Sequence, residues 1–162
     1  MTWQVKSGKA TPPYDKIEAA ISFDGAKVLL ELSVENFGII DHIKWRPAAG
    51  FSVLTGETGA GKSLIIDAIE TLAGKRVGEE AIRAEADRLR IEGTFVPQGG
   101  SALKALLAEC GIEDEDAVIL SRDIGKDGRN LNRLNGRSVP LRFLREIGKL
   151  LIDIHGQSDH LS

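Results

Sequence analysis

The chain has 162 residues, enough for one domain with a core of its own. Its formal charge of −3 rules out a wholesale electrostatic grip on nucleic acid and confines any such contact to a local patch. No apolar run approaches the ~18 residues of a membrane span, no signal-peptide core opens the chain, and the lone cysteine, Cys110, permits no internal disulfide, which suits a reducing cytoplasm.

Residues 1–27 read differently from the rest. Thr2 to Asp15 show neither helical nor strand period and contain Ser7-Gly8-Lys9 and Thr11-Pro12-Pro13. A poorly ordered or loosely docked segment is expected there, with Lys16 to Ile21 as a helical turn. Trp3 and Tyr14 offer anchors for a partner, and a non-native leader is the plainer reading.

From Val28 the pattern sharpens. Leu30 to Glu35 alternate apolar and polar, Asn36-Phe37-Gly38 is a turn, and Ile39 to Trp45 alternate again, so an antiparallel hairpin is expected. His42 on that hairpin reads as a surface histidine, because no second ligand stands at metal spacing. Pro47 to Gly50 then lead into Phe51-Ser52-Val53-Leu54-Thr55, a short apolar run that predicts a buried parallel strand.

Gly56-Glu57-Thr58-Gly59-Ala60-Gly61-Lys62-Ser63 follow, fitting the phosphate-binding pattern G-x-x-x-x-G-K-[ST]. Its glycines let the backbone turn tightly and aim successive N–H groups at phosphate oxygens. Lys62 supplies an ammonium for the β- and γ-phosphates, and the Ser63 hydroxyl is suited to ligating Mg²⁺. Ile65, Ala68, Ile69 and Leu72 then fall on one face of a helix that Gly74 should stop, and the helix N-terminus adds partial positive charge. Strand, loop and helix in that order mark a nucleotide site.

Lys75 to Glu80 read as a loop, and Ala81 to Asp87 are ambiguous. Leu89 to Val96 alternate as a strand ended by Pro97. Ser101 should cap a helix carrying Leu103, Leu106, Leu107 and Cys110, with Gly111 as its stop and Cys110 as a small core residue. Glu113 to Asp116 form an acidic, solvated loop. Ala117 to Arg122 and Leu131 to Asn135 should pair as a hairpin across the turn Gly125–Gly128, with a second turn at Asn135-Gly136. Ser138 and Pro140 begin a helix with Leu141, Leu144, Ile147 and Leu151 on its apolar face, and Leu151 to Ile154 read as a last buried strand. Basic residues crowd between Arg122 and Lys149, either as a patch facing DNA or nucleotide or as a solvated hairpin and helix face.

Several landmarks stand in order: Leu30 to Ile40, the phosphate loop, Asn135-Gly136-Arg137, and Asp153-Ile154-His155-Gly156-Gln157. Together they closely resemble the N-terminal head segment of the RecN family of bacterial DNA repair proteins, in the SMC-like branch of ABC-type ATPases. The resemblance spans Leu29 to Leu161, and the wording around the loop and at Asp-Ile-His-Gly-Gln is more specific than the loop alone. It implies an α/β P-loop NTPase fold, the N-terminal half of an ABC/SMC-like ATPase head; the strand pattern adds a mixed sheet with antiparallel hairpins.

The resemblance further implies ATP and Mg²⁺ as cofactors. Gly56, Glu57, Thr58, Gly59, Ala60, Gly61, Lys62 and Ser63 correspond to the Walker A motif. Gln157 stands where the Q-loop glutamine would approach Mg²⁺ beside Ser63 and, with Lys62, serve catalysis. His155, Asp159 and His160 then belong to the Q-loop surroundings, since His-x-x-x-x-His is not a usual zinc spacing. For the complete protein the resemblance implies DNA and a C-terminal half-head as partners, a head-to-head homodimer, no membrane, and a cytoplasmic, nucleoid-associated place in double-strand-break repair and recombination.

The signature, Walker B aspartate, catalytic glutamate and switch histidine of such heads have no counterpart after Gln157. The expected division is therefore a leader over 1–27 and a half-head over 28–162, truncated just after the Q-loop, which binds ATP weakly with negligible turnover of its own. Two alternatives stand beside this: a stand-alone P-loop nucleotide-binding module needing a separate partner half, and a small P-loop kinase.

Overall fold

The alternating segments build the larger of two sheets. In the computed structural model, which describes residues 4–8, 20–22, 27–47, 51–55, 59–97, 100–112 and 116–152, β3 (Lys27–Phe37) and β4 (Ile40–Trp45) form the expected antiparallel hairpin. β6 (Arg88–Pro97) pairs on the other side of β3, followed by β7 (Val118–Gly125), β8 (Asn130–Leu134) and the two-residue β9 (Arg137–Ser138). The order is β4-β3-β6-β7-β8-β9, antiparallel throughout.

Register gives the sheet two unlike faces. On the inner face one cross-strand row runs Trp45, Leu32, Gly93, Leu120, Leu134, and the next runs Ile43, Val34, Ile91, Arg122, Asn132. On the outer face His42, Glu35, Arg90 and Asp123 stand side by side, so charges of opposite sign face each other across the strands. His42 is an exposed member of that row, 3.9 Å from Glu35. A bulge between Leu29 and Glu31 breaks the simple alternation: Leu29 turns inward beside Leu32 and Val34, while Leu30 is left 43% exposed.

Helix α1 (Gly59–Leu72) lies across the inner face, against β3, β6 and β7. Ile65, Ala68, Ile69 and Leu72 are all buried, as the helical spacing requires. Each large member contributes roughly 1.5–3 kcal/mol by leaving water. Gly93 lets the helix come close, since a Cβ there would stand 2.6 Å from Leu72 Cδ2. Helix α2 (Ser101–Glu109) buries Leu103 and Leu107. Its N-cap is Gly100 with no side-chain hydrogen bond, so Ser101 is the first helical residue and not the expected cap. Gly111, at φ +68°, ends the helix as expected, with the Gly111 N–H donating to Ala108 O and the Ile112 N–H to Leu107 O. Cys110 is half-buried against the core, which pushes its thiol pKa up.

Helix α3 (Leu141–Leu151) starts after Pro140 and buries Leu144, Ile147, Gly148 and Leu151. The strand expected over Leu151 to Ile154 is corrected at its start: Leu151 is the last helical residue, because the Ile152 N–H still donates to Gly148 O. Residues 153 and 154 lie outside the described ones. At the β8–β9 turn, Asn135 and Gly136 adopt φ +46° and +78°, the left-handed pair that an Asn-Gly turn supplies.

The second sheet departs further from expectation. β5 (Phe51–Thr55) forms where the apolar run predicts, but its partners are β1 (Gln4–Gly8) and β2 (Ala20–Ser22), one on each side, and both are antiparallel. The parallel pairing expected for residues 51–55 is therefore corrected, and no parallel pair occurs among the described strands. The short segments 4–8 and 20–22 lack any strand pattern in the sequence; backbone pairing with an apolar neighbour supplies what periodicity does not. Ala20 and Ile21, expected in a helical turn, are extended.

Candidate nucleotide-binding site

The backbone runs from β5 through residues 56–58, outside the described ones, into α1. Gly59, Ala60, Gly61, Lys62 and Ser63 make the first turn of that helix. Five of the eight residues in the loop pattern are thus gathered at one helix N-terminus. The N–H groups of a first turn have no acceptor within their own helix, and over 14 residues the aligned peptide dipoles place partial positive charge there. Such an end is suited to a phosphate group, and a carboxylate in the first turn, which would oppose one, is absent. Gly56, Glu57 and Thr58 lie outside the described residues, as do Gln157, His155, Asp159 and His160.

A second element stands next to this end. The β3–β4 turn packs on the helix just past its first turn, where a Cβ on Gly38 (φ +57°) would come within 3.0 Å of Leu64 Cδ2. The turn is fastened to the end of the 3-10 turn Glu79–Ala81 and to Arg83 just after it. The Gly38 N–H donates to Ala81 O (2.8 Å), the Arg83 N–H to Asn36 O (2.9 Å), and Arg83 Nη1 to Ile39 O (3.2 Å). Residues 81–87, ambiguous in sequence, thereby serve to hold the turn in place.

The other end of α1 is closed with unusual thoroughness. Gly74, at φ +101°, lets the chain reverse, its N–H donating to Thr71 O while the Lys75 N–H donates to Glu70 O. Arg122, fully buried on β7, donates through Nη1 to Thr71 O (2.6 Å) and Lys75 O (2.7 Å) and through Nε to Asn132 Oδ1 (3.0 Å). Arg145 on α3 donates through Nε to Gly74 O (2.9 Å). Burial lowers the Arg122 pKa to about 10, with the charge of Arg145 adding to the effect. A buried guanidinium is tolerated here because carbonyls at the negative end of the helix face it. Lys75 closes the same turn from outside, pairing with Glu70 and Asp67, and its pKa rises chiefly through the Glu70 hydrogen bond.

This geometry divides the basic cluster of residues 122–149. Arg122 and Arg145 hold α1; Lys126 donates to Ala84 O, Arg133 pairs with Asp123, Arg129 with Asp127, and Arg137 donates to Cys110 O. Arg142 and Lys149 are exposed on α3. The run is largely internal bonding and not one continuous basic surface. Arg122 carried a legible signal that charge counting misses: it shares strand parity with Val118, Leu120 and Ile124 and so had to face the core. A cleft of about 550 Å³ on the turn after β7, lined by Asp87, Asp123 and Asp127 with Lys126 and Arg129, mixes both signs of charge and does not suit a polyphosphate.

Fold and loop together define a P-loop nucleotide-binding domain, and the chain belongs to the AAA domain family, which matches residues 31–134. The resemblance to RecN is also borne out. The DNA repair protein RecN of Bacillus subtilis is 44% identical over 134 residues, which are 82% of this chain and 23% of that protein. RecN of Halalkalibacterium halodurans is 44% identical over 134 residues, 82% of this chain and 24% of that protein. The chain thus spans about a quarter of the length of the relatives it matches. Among solved structures, an SMC ATPase described in connection with ATP-driven dimerization and DNA-stimulated activation superposes with a TM-score of 0.63 at 22% identity, covering 83% of this chain and 86% of that one. That likeness supports the ATPase-head fold. No helix among the described residues is long and apolar enough to cross a membrane.

Proposed function

We propose that this chain is the ATP-binding segment of a RecN-like ATPase acting in DNA double-strand-break repair and recombination. The observation that carries the reading is the helix that opens on Gly59-Ala60-Gly61-Lys62-Ser63 directly after a strand and loop, in a chain 44% identical to RecN. Gly56 to Ser63 form the Walker A cradle, Lys62 meets the β- and γ-phosphates, and Ser63 with Gln157 attends Mg²⁺. Bound Mg²⁺ would neutralise charge building on the phosphates; the chain's own part is to orient them. Residues 28–162 act as the N-terminal half of a head, with residues 4–8 and 20–22 pairing on either side of its strand β5. Turnover, DNA contact and head-to-head dimerization belong to the complete protein, working in the cytoplasm on the nucleoid, because the carboxylates that complete Mg²⁺ coordination come from a C-terminal half-head.

The test is equilibrium binding of a fluorescent ATP analogue with Mg²⁺ to the 162-residue chain, beside its ATPase rate with and without a C-terminal half-head supplied as a separate polypeptide. Binding that Lys62→Ala removes, with turnover appearing only when both halves are present, is the expected result. Rapid turnover by the chain alone, or binding that ignores Lys62→Ala, sinks the reading.

A further inference from the structure

One buried cation has no role in the phosphate site as described, and its contacts are out of keeping with simple core packing. Arg122 is fully buried, yet its Nη1 goes to two backbone carbonyls, Thr71 O and Lys75 O, at the C-terminal end of α1, and Asn132 Oδ1 takes its Nε. Arg145 reaches Gly74 O in the same turn from α3, where Gly148 lies so near α1 that a Cβ would stand 2.8 Å from Ala73 Cα. Hydrogen bonds and close contacts from two separate elements therefore converge on one helix end. Apolar side chains alone let a helix slide along its axis at little loss, because dispersion contacts are non-directional; donors aimed at particular carbonyls do not.

We propose that Arg122, supported by Arg145, is a positioning residue for the phosphate site: it fixes the axial setting of α1, and through the rigid helix the place of the Gly59–Ser63 turn relative to β5. The inference rests on the reading of that turn as the ATP cradle. A helix of 14 residues is about 21 Å long, and it transmits a shift at one end to the other almost unchanged. Lysine keeps the charge of Arg122 but not the fork that reaches two carbonyls and Asn132 together, so it loosens the setting without removing the cation.

The experiment compares Arg122→Lys with Leu107→Ala, a core truncation on α2, in the full 162-residue chain at a temperature where both are folded by circular dichroism. Two quantities are read: amide hydrogen exchange without nucleotide over residues 63–68, whose N–H groups bond back to the carbonyls of the first turn and the residue after it, and affinity for a fluorescent ATP analogue with Mg²⁺. Arg122→Lys should exchange faster over residues 63–68 and lose roughly tenfold in affinity, about what one good hydrogen bond to a charged group supplies. Leu107→Ala should lower the thermal midpoint at least as much while leaving both readouts as in the parent. Arg145→Leu, which removes the outer contact only, should shift both in the same direction by less, and it carries the test if Arg122→Lys does not fold. Exchange over residues 63–68 unchanged in the Arg122 and Arg145 variants, or changed equally in Leu107→Ala, overturns the proposal. Faster exchange with no ATP binding even by the parent chain leaves the positioning role standing and strikes instead at the nucleotide reading.

Discussion

The two ends of α1 are built on opposite plans. At its start the helix follows a glycine-rich loop and presents first-turn N–H groups with no partner in their own helix. At its finish every device for closing a helix is used at once: a left-handed glycine, two reversed backbone hydrogen bonds, a buried arginine, a second arginine from α3 and an outer lysine. The difference shows where a binding helix can carry unsatisfied groups. Donors left free for a ligand are a liability in its absence, and a firmly fixed far end keeps them in one place while they wait.

The contrast can be broken from its closed end with the largest effect. Arg122→Met removes the donor to Lys75 O and to the buried Asn132 Oδ1 and leaves Thr71 O with the Gly74 N–H alone, and should destabilise the chain by about 3 kcal/mol in a denaturant titration. A change within the few tenths expected of a surface site would show that water or a neighbour replaces the guanidinium. At the open end the sign reverses. Lys62→Ala should leave the thermal midpoint of the nucleotide-free chain where it was, yet weaken ATP binding on the order of a hundredfold, about 2.7 kcal/mol, through loss of a charged phosphate contact. Equal loss of stability in the two variants would erase the distinction between the ends.

Between these in kind are the glycines that set how closely α1 may be approached. A Cβ at Gly148 meets the Ala73 backbone at 2.8 Å, whereas one at Gly93 meets the Leu72 side chain at 2.6 Å. Backbone cannot step aside as a leucine rotamer can, so Gly148→Ala should cost about 2 kcal/mol and Gly93→Ala about 1, read from unfolding midpoints. Reversal of that order would place the slack in the α1–α3 contact and not in the sheet.

What the sequence disclosed, and what it withheld, follows the range of each interaction. Helices α1, α2 and α3 and the hairpins β3–β4 and β7–β8 were legible because their periodicity and turn residues are local, down to the stops at Gly74 and Gly111 and the Asn135-Gly136 turn. The phosphate-loop pattern is local in the same way, and α1 opens within it at Gly59. Pairing partners were not: nothing in Phe51 to Thr55 says which strands lie beside it, and segments 4–8 and 20–22 have no pattern to announce them. The Leu29–Glu31 bulge escaped because Leu29, Leu30 and Leu32 allow either parity, and only the register with β6 decides between them. A count of charge places Arg122 among surface residues, although its parity with Leu120 and Ile124 turns it inward; what leaves no local trace is its carbonyl partner 51 residues away in sequence.

The smallest effect separates the fastened inner face from the outer face of the same sheet. Glu31 on β3 is partly exposed and accepts from the exposed Lys44 and Arg46, and those two partners hold its carboxyl below the ordinary value of 4.5, Lys44 first. The folded state therefore binds fewer protons than the unfolded chain between the two values. Stability from this cluster is present in full above 4.5 and is lost as pH falls through the lower, folded-state value. Glu31→Gln should lower the thermal midpoint slightly at neutral pH, and the gap from the parent should close well below 4.5 and in concentrated salt. Arg122→Met should show no such convergence in acid or in salt, because its acceptors are uncharged carbonyl and amide oxygens that do not titrate and that salt barely screens. A gap for Glu31→Gln that persisted in acid would mean that the side chain acts by packing against β4, and the two faces of the sheet would then differ less than their charges suggest.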